Sequence, residues 1–132
     1  MAPQTSDPFK DGQNIRDRTF EFGCRIVNFC DRLYDRGGVA RVMAPQLLRC
    51  GTSIPAMLEE ARAAESRRDF ISKSSISLKE CRESWTRLRV CEACGIGPAG
   101  EASQLVCEAN ELVAIISSII RNTRRRTAST HS

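Results

Sequence analysis

Apolar residues return every third or fourth position in four successive stretches of this chain, and no stretch alternates with period two over useful length. Residues 15–36 place Ile15, Phe22, Ile26, Phe29 and Leu33 on one stripe, ended by Gly37 and Gly38. Residues 40–66 repeat the pattern with Ala40, Met43, Leu47, Gly51, Ile54, Leu58 and Ala61. Pro55 falls inside this second stretch, where its ring meets the carbonyl of Gly51, a residue whose backbone shifts easily. The expectation is one continuous helix kinked near Pro55, with a break there as the alternative. Residues 69–94 show a seven-residue pattern, with Ile71, Leu78 and Trp85 in one row and Ser74, Cys81 and Leu88 in another. Gly95, Gly97 and Pro98 punctuate, and Pro98 stands where it would open the next helix. Residues 99–124 then carry Leu105, Ala109, Leu112, Val113, Ile115, Ile116, Ile119 and Ile120. Short connections make an all-α, antiparallel, up-down-up-down four-helix bundle the economical fold.

A chain of 132 residues suits one domain of this kind, spanning 14–124, with polar ends at 1–13 and 125–132 expected to be disordered. No run of 18 apolar residues argues for a membrane span, and the first 13 residues lack the basic start and apolar core of a signal peptide. A cytoplasmic protein is the expectation. The single histidine, His131, sits in the polar tail, which removes Ser-His-Asp and Cys-His catalysis and His-ligated zinc. No enzyme, cofactor or metal is therefore expected. The 7 cysteines are an odd number in a chain unlike a secreted scaffold. Cys91 and Cys94 form a lone CxxC without a second pair, and Cys81, Cys91 and Cys107 read as small packing residues.

The charge is +4, and four arginines near the C-terminus (Arg121, Arg124, Arg125 and Arg126) account for an excess of that size. They suit phosphate contact, since guanidinium groups grip phosphate bidentately, and they equally suit a solvated helix end. Arg18, Arg25 and Arg32, seven apart, form with Arg36 a basic edge beside the apolar stripe of the first helix. That edge suits a nucleic-acid backbone, salt bridges to a neighbouring subunit, or stems that cover the stripe. Trp85, Phe22 and Phe29 occupy stripe positions and read as core rather than as stacking platforms. On a helical wheel the apolar residues of the fourth stretch cover roughly half the circumference. This suggests burial on two sides, against the chain's own bundle and against another subunit, with Ile115 and Ile119 at the contact.

The block LLRCGTSIPAMLEEARAAESRRDFISK followed by ISLKECRESWTRLR resembles a family of small bacterial four-helix bundle proteins, some of them encoded in intervening sequences of large-subunit ribosomal RNA genes. RTFEFGCRIVNFCDRL and EANELVAIISSIIRNTRRR extend the likeness over about residues 15–125. It is more distantly similar to the accessory protein of diversity-generating retroelements, which associates with a reverse transcriptase and nucleic acid. The resemblance implies closed homo-oligomeric rings, typically pentamers, without catalytic activity. Within the matching block, Glu59, Glu60, Glu65, Glu80, Arg82 and Glu83 read as a polar surface or subunit contact across the second and third helices, or as a solvated face with local ion pairs. Two functions follow as expectations. One is an oligomeric module that binds RNA or DNA; the other is an adaptor for a protein partner such as a reverse transcriptase or ribosome-associated factor.

Overall fold

The structure is a computed structural model that describes residues 8–131, with side chains described from 15 to 128. Four helices follow one another: α1 (Pro8–Arg36), α2 (Gly38–Arg62), α3 (Arg67–Cys94) and α4 (Glu101–His131). Of the two expected tails, residues 1–7 and 132 lie outside the described residues, and helical backbone runs through 8–13 and 125–131. No strand occurs among the described residues.

Cross-helix contacts set the topology. Arg16 of α1 meets Glu59 of α2 at 3.1 Å, while Ile26 lies against Gly51. Ser77 of α3 donates to the Ile54 carbonyl of α2 at 3.0 Å, and Ser84 meets Cys50. Arg18 reaches Glu108 of α4, whereas Arg32 reaches Glu101. In each pair, moving forward along one helix means moving backward along the other. α1 and α3 therefore run one way and α2 and α4 the other, which is the expected up-down-up-down bundle. Each helix packs on its sequence neighbours, α1 and α4 close the circuit more lightly, and the diagonal pairs stay apart among the described residues.

The core follows the expected stripes. Phe22, Ile26, Phe29, Leu33, Leu47, Ile54, Leu88, Leu105, Leu112 and Ile116 are fully buried. Ile71, Leu78 and Trp85 pack half-buried against them, with the Arg89 guanidinium 4.6 Å above the Trp85 ring. α3 contributes small groups, with Ser77 and Ser84 sending their hydroxyls to the carbonyls of Ile54 and Glu80.

α2 runs unbroken through both Pro45 and Pro55. Each proline removes a helical hydrogen bond, so tertiary packing must compensate. At Pro55 it does: a Cβ built on Gly23 of α1 would sit 3.4 Å from the Pro55 Cγ, so the ring packs against bare α1 backbone. Thr52 and Ser53 bond back to the Leu48 and Arg49 carbonyls at 2.7 Å each, just ahead of the proline.

Two expectations need correction. Pro98 does not open α4; Glu101 does, its N–H bonding the Pro98 carbonyl at 3.2 Å, so the proline belongs to the preceding turn. Cys107 is exposed, because helical steps from the buried Leu105 and Ala109 both carry position 107 to the outer face. Flanked by α3 and α1, α4 packs Val106, Val113, Ile115 and Ile119 half-buried against the core, and none of the exposed large apolar residues lies on it. α4 is long and apolar enough, by length and composition, to cross a membrane. In this fold Leu105, Ala109, Leu112, Ile116 and Ile120 form one wall of the core.

Candidate nucleic-acid interface

The basic residues fall into two groups with different surroundings. Those of α1 face the acidic side of α4. Arg18 donates through Nε and Nη2 to Glu108 at 3.1 and 2.7 Å, and through Nη2 to Glu111 at 2.8 Å. These hydrogen bonds, Glu108 first and Glu111 second, hold the guanidinium firmly charged. Arg32 pairs with Glu101, and Arg36 reaches the Gly95 carbonyl at 3.4 Å. Arg25 lies half-buried on the same side without an ion pair among the described residues. The basic edge read from the seven-residue spacing is thus largely a clamp between the first and last helices, with Arg18 and Arg32 neutralised inside the chain.

The second group is at one end of the bundle. Arg121, Arg124, Arg125 and Arg126 are exposed on the last turns of α4, and no acidic residue follows Glu111 in the sequence. The Cys81 thiol of α3 lies 3.5 Å from the Ala109 carbonyl of α4. Counting equal steps back along α3 and forward along α4 brings Arg67 level with Thr123. The exposed Arg67 and Arg68, in the first turn of α3, therefore stand beside the α4 arginines. Ser66 sets that start, its side chain accepting from the Asp69 N–H at 3.0 Å, and Asp69 in turn pairs with Lys73 at 3.2 Å. Six arginines from two helix ends remote in sequence thus stand at one end of the bundle. Arg67 and Arg68 escaped the sequence reading because only the antiparallel register brings them to the cluster.

Of the acidic residues singled out in α2 and α3, Glu59, Glu80 and Glu83 form ion pairs, in part with arginines not anticipated. Glu59 pairs with Arg16 at 3.1 Å and Arg62 at 3.5 Å. Arg49 bridges α2 to α3, meeting Glu80 at 3.2 Å and Glu83 at 2.7 Å, and Arg87 adds a 2.8 Å contact to Glu83. Glu60 and Arg82 are exposed without an ion pair among the described residues. Burial raises the Glu83 carboxyl, but the hydrogen bonds from Arg49 and Arg87 outweigh it and hold the group below its ordinary value of 4.5. A carboxylate with a depressed folded value stabilises the fold above its unfolded value and loses that contribution as pH falls through the folded one. Denaturant midpoints measured from pH 7 down to pH 3 are therefore expected to decline at the acid end, with a shallower decline in Glu83→Gln.

No group of three His, Cys, Asp or Glu suited to a metal occurs among the described residues. The buried thiols are held protonated: burial pushes Cys30 and Cys81 up to about 12 and also raises Cys50 and Cys91.

Comparison with known proteins agrees with the fold. The structure is similar to the crystal structure of a protein of unknown function from the S23 ribosomal protein family of Bacteroides thetaiotaomicron VPI-5482. The TM-score is 0.77 at 33% sequence identity, covering 84% of this chain and 98% of that one. No curated protein matches. The model of the 23S rRNA-intervening sequence protein family matches residues 13–118, nearly the whole bundle. With helices, core stripes and a solved relative in agreement, this chain belongs to the 23S rRNA-intervening sequence protein family.

Proposed function

We propose that the protein is a non-catalytic module that grips the phosphate backbone of RNA or DNA with the basic end of its bundle, acting as a homo-oligomer. The observation that carries this reading is the placing of Arg67 and Arg68 of α3 at the same end of the bundle as Arg121, Arg124, Arg125 and Arg126 of α4, where α4 carries no acidic residue after Glu111. Guanidinium groups on two rigid helix ends match phosphates bidentately and carry no base-reading geometry, so the binding is sequence-tolerant. Assembly into a ring, a pentamer by family resemblance, sets several basic ends around one axis and raises avidity without new contacts. The family name ties its members to intervening sequences of 23S ribosomal RNA, which makes RNA the first probe.

The test is fluorescence anisotropy with labelled single- and double-stranded RNA of unrelated sequences, between 50 and 200 mM salt. The affinity is expected to fall steeply with salt, by about 0.9 log unit per log unit of salt for each duplex phosphate neutralised. Substituting Arg124, Arg125 and Arg126 together with alanine is expected to weaken every sequence alike, by roughly tenfold or more, and to flatten the salt slope by about 3. Binding indifferent to salt and to the triple substitution overturns the proposal, and a single-chain mass by light scattering overturns its oligomeric part.

A further inference from the structure

A second face carries the opposite charge and an apolar floor. Phe20, Val27 and Tyr34 on α1 are spaced by seven and remain 66%, 45% and 52% exposed, and Leu48 of α2 is 38% exposed. They border a furrow between the two helices made of two hollows, of about 340 and 630 Å³, joined at Val27. One is lined by Tyr34, Pro45 and Leu48, the other by Phe20, Gly23, Pro55 and Ala56. The small Gly23 and Ala56 line the second hollow, with the Pro55 ring packed against Gly23. From Arg16 to Tyr34 the furrow follows α1 for about 27 Å, the length of a helix of about 18 residues.

Its rim is acidic. Asp17 and Asp31 line the hollows, and Glu21 and Asp35 stand on the adjoining exposed strip of α1. None of the four has an ion pair among the described residues. The nearby cations are engaged: Arg16 with Glu59, and Arg41 with the Tyr34 carbonyl at 2.9 Å and with its ring at 4.5 Å. A face of this sign repels nucleic acid.

We propose that the α1/α2 furrow docks a basic amphipathic helix of a partner polypeptide, whose aliphatic side chains seat between Phe20, Val27 and Leu48 while its lysines or arginines meet Asp17, Asp31 and Asp35. Apolar knobs supply the seat, and the acidic rim selects the sign of the flanking charge. A second copy of this chain fits less well. Its exposed cationic strip on α3, with Lys79, Arg82 and Arg89, is bordered by only two exposed large apolar residues, Ile76 and Val90. Those two knobs are too few to fill the furrow.

The test titrates the full-length protein with labelled helical peptides of about 18 residues, leucines on one face and either lysines or glutamates flanking them. The lysine peptide is expected to bind at micromolar concentration and the glutamate peptide at least tenfold more weakly. Val27→Glu is expected to weaken the lysine peptide at least tenfold although it adds attractive charge, because it spoils the apolar seat. Phe20→Ala, at a more exposed site, acts in the same direction, and Asp31→Lys with Asp35→Lys weakens binding without touching the floor. Equal binding of both peptides, or binding unchanged in Val27→Glu and Phe20→Ala, overturns the proposal. So does wild-type protein that ignores both peptides while Val27→Glu lowers its mass in light scattering, since a second copy then fills the furrow. Substituting Arg124, Arg125 and Arg126 is expected to leave peptide binding unchanged, so failure here and failure at the basic end are separate results.

Discussion

Phe29→Ala is expected to cost the fold about 3–5 kcal/mol, toward the upper end of what a large-to-small core change removes. The ring is fully buried. The tip of the ring lies against the loop between α3 and α4, where a Cβ added to Gly97 would come within 2.6 Å of its Cε1 and 2.7 Å of its Cζ. Gly97 has φ 97°, a conformation that other residues adopt only under strain, so the loop is fixed by its own backbone and by the neighbouring buried Ile96. A side chain lost beside such a wall leaves a cavity that cannot collapse, and the penalty grows with the volume left empty. Since small domains hold only about 5–15 kcal/mol in all, the variant loses a large share of its stability. Denaturant unfolding at fixed protomer concentration is expected to show a much lower midpoint with an unchanged slope. A loss below about 1.5 kcal/mol means that the loop relaxes into the space, contrary to this account.

The same residue shows what the sequence carried and what it did not. Phe29 sits on a stripe with Ile15, Phe22, Ile26 and Leu33, all buried as the spacing requires, because helical period alone decides which side chains share a face. Period says nothing of what lies opposite that face. Arg18, Arg25 and Arg32 stand in a row seven apart, and the glutamates that Arg18 and Arg32 meet, Glu108 and Glu101, belong to α4 of the same chain. The paired arginines are 14 residues apart and their partners only 7, so sequence spacing alone does not reveal the pairing. The outer row of Phe20, Val27 and Tyr34 was masked for a related reason: α1 carries apolar rows on both sides, and the stronger one was read as the whole pattern. In α3 the buried Ser77 and Ser84 give no hydrophobic signal, since their burial depends on carbonyls of Ile54 and Glu80 that only the folded chain supplies. Arg67 and Arg68 belong to the candidate site through register alone. Faces were legible; pairings between faces were not.

The closest of those pairings, Gly51 against Ile26, yields the second large effect. Alanine in place of glycine within a helix ordinarily stabilises by about 0.5–1 kcal/mol, through lost freedom in the unfolded chain. Here the sign is expected to reverse. A Cβ on Gly51 would lie 2.7 Å from Ile26 Cγ2, 2.9 Å from Cγ1 and 3.1 Å from Cβ. These atoms sit at the root of a stiff, β-branched, fully buried side chain that cannot swing aside, so α1 and α2 must separate. Gly51→Ala is therefore expected to cost about 1–3 kcal/mol, with Gly51→Val costing more. Two causes compete for such a loss, because Gly51 is also the residue whose carbonyl faces the ring of Pro55 one turn on. Double-mutant cycles separate them. If the clash is the cause, Ile26→Ala removes both Cγ atoms, and the double variant with Gly51→Ala falls short of the summed losses by about 1 kcal/mol or more. If backbone freedom beside the proline is the cause, Ile26→Ala gives no relief and Pro55→Ala does. The contact geometry predicts relief from Ile26→Ala, and additive losses in that pair contradict it.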